Sequence, residues 1–101
     1  MSASITISFA GSALGDLEEI LDYYREQQAP QVGEKLVADI IRDMELLIDQ
    51  PDMGRIVPEF ALQNLRELIR PPFRIVYRRE PGKVRIVRIW RSERLLALPL
   101  R

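Results

Sequence analysis

The strongest constraint on the fold lies in the last third of the chain, where three short apolar runs are each studded with arginine. They read Leu65-Arg66-Glu67-Leu68-Ile69, then Phe73-Arg74-Ile75-Val76-Tyr77-Arg78, then Val84-Arg85-Ile86-Val87-Arg88-Ile89-Trp90-Arg91-Ser92-Glu93-Arg94. Successive side chains of an extended chain point to opposite faces. Such runs must form a sheet that buries its hydrophobes and holds guanidinium groups in fixed positions. A sheet face of that kind is suited to binding something anionic.

The formal net charge is zero, yet residues 1–54 hold 3 basic and 11 acidic side chains, whereas residues 55–101 hold 12 basic and 4 acidic. An asymmetry between halves points to a charged partner. The plainer alternative is that an acidic helical half and a basic strand half neutralise each other within one domain. Of the 15 cations, 13 are arginine, the residue preferred where planar, bidentate contact with carboxylate or phosphate matters.

At 101 residues the chain is expected to be one domain, 1–101, with a single core. Cysteine and histidine are both absent, which removes disulfides, thiolate and imidazole metal sites and the usual neutral-pH proton shuttle. No acidic cluster has the spacing of a hard-cation site, so neither a metal nor a cofactor is expected. Ser or Thr nucleophiles would need a base, and only Lys35 and Lys83 are available as lysines. Gly-rich phosphate loops are missing as well. RNA cleavage by transesterification stays open, because arginines stabilise charge on a scissile phosphate. It needs proton transfer, and the C-terminal segment offers only Glu93, since Tyr23, Tyr24 and Tyr77 all lie upstream. Met1-Ser2-Ala3-Ser4 carries no basic region leading into an apolar stretch, and the apolar run Leu95 to Leu100 is short and broken by Pro99. The expected location is cytoplasmic, with no membrane span.

Along the chain, Ile5, Ile7 and Phe9 alternate with Thr6 and Ser8, the period of a half-buried strand. Ser12 is placed to cap a first helix, whose Leu14, Leu17, Ile20, Leu21 and Tyr24 form one stripe. Pro30 suits the first position of a second helix, which Pro51 stops. So short a link predicts an antiparallel helical hairpin. On the second helix Gly33, Leu36, Val37, Ile40, Ile41, Met44, Leu47 and Ile48 span about 140°, wider than one packing contact requires. Either this helix touches both its partner and the sheet, or part of the stripe awaits another protein. Gly33 reads as a close-packing position. Arg55 to Asn64 reads as a connecting loop with some extended character, since Pro58 opposes a central strand.

A tight turn at Glu80-Pro81-Gly82-Lys83 would set Tyr77 across from Ile86, Arg78 across from Arg85 and Phe73 across from Trp90. Under that register Phe73, Ile75, Tyr77, Val84, Ile86 and Trp90 face the helices, while Arg74, Val76, Arg78, Arg85, Val87, Ile89 and Arg91 face away. Arg88 breaks the alternation and marks an edge or a bulge. The fold class is α+β: an N-terminal strand, the helical hairpin, then a three-stranded antiparallel meander in one sheet.

Taken together, that element order, the segment Pro51-x-x-Gly54-Arg55-x-Val57-Pro58-Glu59, the run Leu65-Arg66-Glu67-Leu68, the strand Phe73 to Arg78 and the ending Trp90-Arg91-Ser92-Glu93-Arg94 resemble the RelE/ParE superfamily of bacterial toxins from type II toxin-antitoxin systems. The resemblance implies two candidate activities. RelE-like members cleave mRNA on the ribosome, and Arg74 and Arg94 would then be the catalytic, phosphate-stabilising arginines. The C-terminal tyrosine of that branch falls near Leu100 here, and no lysine-rich loop precedes Leu65. ParE-like members keep the fold without that machinery and inhibit DNA gyrase, and this sequence resembles them more. The implied function is a ParE-like gyrase inhibitor that acts by binding, associated with plasmid stabilisation, with Arg74, Arg78, Arg91 and Arg94 contacting the target. The implied partner is a ParD-like antitoxin, in a hetero-oligomer, docked on Leu14, Leu17, Leu21, Val37, Ile41, Met44 and Ile48 in a helix-in-groove mode. Acidic antitoxin residues would meet the arginine face. A member that has lost toxicity and survives as an antitoxin-binding relic is the remaining alternative.

Overall fold

The computed structural model describes residues 5–92. Strand β1 (Thr6–Phe9) leads into helix α1 (Gly11–Glu26) and helix α2 (Pro30–Glu45), which ends in a 3-10 turn at Leu46–Ile48. Strands β2 (Arg55–Ile56), β3 (Leu65–Arg70), β4 (Phe73–Glu80) and β5 (Lys83–Arg91) follow. They form one sheet in the order β1-β5-β4-β3-β2. β1 runs parallel to β5, and the other neighbours are antiparallel. A parallel neighbour needs a long crossover, and the helical hairpin lies within that crossover.

The hairpin packs as expected. Pro30 sits at the start of α2, and a Cβ on Gly33 would meet the Cβ of Tyr24 at 3.0 Å, so the helices approach closely at this glycine and a larger residue would need Tyr24 to give way. Ser12 behaves differently from expectation. Helix α1 starts at Gly11 without a side-chain cap, and the Ser12 hydroxyl donates instead to the Val87 carbonyl at 2.7 Å. Asp16 extends the same substitution, accepting the Ile89 N–H at 2.8 Å while pairing with Arg88. Beyond Phe9, where β1 stops pairing, side chains of α1 therefore satisfy backbone groups along the free edge of β5.

Two cores sandwich the sheet. Between helices and sheet lie Leu17, Ile20, Ile40, Met44, Leu47, Phe73, Ile75, Tyr77, Ile86 and Ile89. On the far side Val57, Leu65, Val76 and Val87 cluster with Phe60 and Trp90 packed against them. Residues 57–64 thus fold over the face expected to stand open. This segment begins just after β2, a short strand absent from the sequence-based description, which ends before Pro58.

The turn at Glu80–Lys83 forms, with Gly82 at φ +74°, and its pairs Tyr77–Ile86 and Arg78–Arg85 match expectation. A β-bulge then intervenes. Tyr77 pairs with Ile86 but Val76 pairs with Arg88, leaving Val87 as the extra residue in β5. The alternation of β5 reverses past this point. Phe73 consequently faces Arg91 rather than Trp90, Ile89 enters the helix-side core, and Trp90 joins the opposite cluster.

Candidate functional site

Arg74 was expected on display and is instead 4% exposed. Its Nε donates to Glu67 at 2.6 Å, and its two terminal nitrogens donate to the two carboxylate oxygens of Glu59 at 2.7 Å. Glu67, 1% exposed, also accepts from Arg55 Nε at 2.6 Å. The bidentate Glu59 carboxylate, helped by Glu67, raises the guanidinium pKa above its ordinary value against the opposing effect of burial. Two of the four acidic residues in the basic half are thereby internal counter-ions for one arginine, clamping the loop after β2 onto β3 and β4. Alternation within the strand located Arg74 on the outer face. It gave no sign of the carboxylates, because Glu59 arrives from a loop.

Beside this network, the Tyr77 hydroxyl donates to the Pro51 carbonyl at 2.8 Å and accepts the Gly54 N–H at 2.9 Å. A Cβ on Gly54 would lie 2.7 Å from that hydroxyl, which explains a glycine there. Burial pushes the Tyr77 pKa up from its usual value.

Of the four arginines expected to share a surface, the three among the described residues do not come together. Arg78 lies on the outer face opposite Arg85, half-buried. Past the bulge, Arg91 lies on the helix side with its guanidinium 5.6 Å from the centre of the Phe73 ring. Arg94, with Glu93 and Leu100, lies outside the described residues. Near Arg91 a cleft of about 250 Å³ opens between α1 and the ends of β4 and β5, lined by Tyr23, Tyr24, Phe73, Arg88 and Trp90 among others. Arg88 stacks over Trp90 at 4.2 Å from the ring centre and pairs with Asp16.

The hairpin separates its apolar residues into two groups. Leu17 and Met44, expected at a docking surface, are core residues. Leu21 and Val37 are half-buried, whereas Leu14, Ile41 and Ile48 are 47%, 41% and 45% exposed. Leu14 and Leu21 are seven residues apart, as are Ile41 and Ile48. Leu14 and Leu21 stack along one shoulder of α1 at the border of its buried stripe, and Ile41 lies on α2 with Ile48 in the 3-10 turn that follows it. The wide stripe of α2 thus does both things considered for it: Ile40, Met44 and Leu47 fill the core, and its other edge faces solvent.

Among the described residues no group of His, Cys, Asp or Glu is arranged to hold a metal ion, and no helix is long and apolar enough to cross a membrane. No protein of curated function matches the sequence. Among solved structures, the chain is similar to one described as a chromosomal ParDE TA system from P. aeruginosa, with 27% sequence identity and a TM-score of 0.73, covering 88% of this chain and 97% of that one. The model of the family described as the ParE toxin of the type II toxin-antitoxin system, parDE, matches residues 7–96. The chain belongs to the ParE toxin family of type II toxin-antitoxin systems.

Proposed function

We propose that this protein is a toxin that inhibits DNA gyrase by binding and is held inactive by a ParD-like antitoxin. One observation carries the choice of binding over RNA cleavage. Arg74, the sheet arginine that a ribonuclease reading requires, is closed off by Glu59 and Glu67 and reaches a phosphate only by breaking both pairs. Separating a buried guanidinium from its carboxylates costs about 3–5 kcal/mol, which works against a role in transition-state stabilisation.

The antitoxin reading is supported by the exposed shoulders of the hairpin. Leu14 and Leu21 on α1, with Val37 and Ile41 on α2 and Ile48 in the 3-10 turn after it, offer an apolar strip to an amphipathic helix laid along the hairpin. Leu17 and Met44 support that strip from beneath.

A supercoiling assay with purified gyrase tests the reading. The expected result is loss of supercoiling with accumulation of cleaved DNA, reversed by the antitoxin. Absence of inhibition at micromolar toxin removes it, and ribosome-dependent message cleavage would put the endonuclease in its place.

A further inference from the structure

The apolar strip of the hairpin has a charged border that repeats from one helix to the other. Glu18 lies four residues after Leu14 and three before Leu21, and Glu45 lies four after Ile41 and three before Ile48. Residues three and four apart share one side of a helix, so each carboxylate stands beside the apolar pair that brackets it. Glu34 extends the border on α2, three residues before Val37 and seven before Ile41. Ile48 continues the pattern into the 3-10 turn.

These carboxylates have no task inside the fold. All three are exposed, and among the described residues none of them forms an ion pair. The cations of the hairpin do not balance them. Arg25, one turn past Leu21, pairs with Asp22 at 2.7 Å, while Lys35 and Arg42 both turn to Asp39. Asp16 and Asp43, by contrast, are engaged by Arg88 and Arg70 of the sheet. A helix laid along the strip therefore meets exposed hydrophobes at its centre and negative charge at its flanks.

Resting on the antitoxin reading, we propose that Glu18, Glu34 and Glu45 select the partner, and that the amphipathic helix docked on the hairpin carries lysine or arginine on both flanks of its apolar face. The hydrophobes hold this helix and the carboxylates choose it. Opposite charges at the rim of an interface add little affinity, whereas like charges placed there reject a wrong partner. A helix with the same apolar pattern and acidic flanks is turned away.

Two labelled synthetic helical peptides test this by fluorescence anisotropy with the purified protein at low salt. They share an apolar face with leucine at i, i+4 and i+7 and carry either lysine or glutamate at the flanking positions. The lysine peptide is expected to bind at least about tenfold tighter. Glu18→Gln, Glu34→Gln and Glu45→Gln together should erase the difference without moving the melting temperature, and Glu34→Lys with Glu45→Lys should reverse it. Ile41→Asp should weaken both peptides. Equal affinity of the two peptides, with both weakened by Ile41→Asp, overturns the proposal while docking on the hairpin stands. A preference for lysine that survives the triple glutamine variant also overturns it, since the selecting charge then lies elsewhere. Failure of both peptides to bind, or binding indifferent to Ile41→Asp, removes the hairpin dock itself and the proposal with it.

Discussion

Arg74 shows how a single side chain changes meaning between sequence and structure. In a strand that alternates cation and hydrophobe it looks like a displayed charge, and only the arrival of Glu59 from the loop makes it an internal one. Removing one member of a buried pair leaves an uncompensated charge, so Arg74→Ala is expected to destabilise the fold by about 3–5 kcal/mol in urea titrations. Replacing Arg74, Glu67 and Glu59 together by Met, Leu and Gln should restore much of that loss, because burying the charges is itself costly and no carboxylate of the network is left facing the site. Failure of the triple variant to recover would mean that the clamp on the loop matters more than the charges. Tyr77 offers a second test. Burial raises its folded pKa above that of the unfolded chain, so the stabilisation is complete below the ordinary tyrosine pKa of about 10 and is lost as pH rises through the higher folded value. Denaturant midpoints should therefore fall above about pH 10. Tyr77→Phe should flatten that alkaline decline while lowering stability at pH 7, by loss of the bonds to Pro51 and Gly54. An equal alkaline fall in both proteins would assign it to other groups.

Among elements, the hairpin and strand β5 differ in how plainly the sequence declares them. The helices, the Gly33 contact and the Glu80–Lys83 turn were legible because helix period, proline and glycine act locally. Strand β5 was half legible, since one bulge at Val87 reverses every residue after it and nothing local fixes a bulge except the misplaced Arg88. The position of β1 could not be read, because a parallel pairing formed across 77 residues leaves no mark in either strand. The same distinction between buried stripe and exposed shoulder gives a test of the docking strip. Ile41→Asp and Leu14→Asp should keep the thermal melt of the parent and raise the antitoxin Kd by at least about thirtyfold, corresponding to about 2 kcal/mol at each anchor. Met44→Asp should instead unfold the protein, because it places a carboxylate in the core. Antitoxin binding unaffected by both shoulder variants would move the interface off the hairpin.

Over the whole molecule, the division of charge is partly consumed by the fold. Asp16 pairs with Arg88, Asp43 with Arg70 and Asp52 with Arg79, each joining the acidic half to the basic one. Glu18, Glu19, Glu26, Glu34 and Glu45 remain exposed on the helices, while Arg78 and Arg85 line the far face of the sheet. Neutralisation is therefore real at the seam, and the two outer surfaces still differ in chemistry. One is an apolar strip bordered by carboxylates, and the other is a cationic row. Exposed charge is screened by salt, whereas apolar burial hardly responds at these concentrations. Between 50 and 200 mM salt, antitoxin affinity resting on Leu14, Ile41 and Ile48 should change by less than about threefold. A titration of the complex across that range decides the matter. A steep slope would mean that acidic antitoxin residues also lie against the arginines of the sheet, so that the antitoxin neutralises the toxin by covering its far face and not by gripping the hairpin alone.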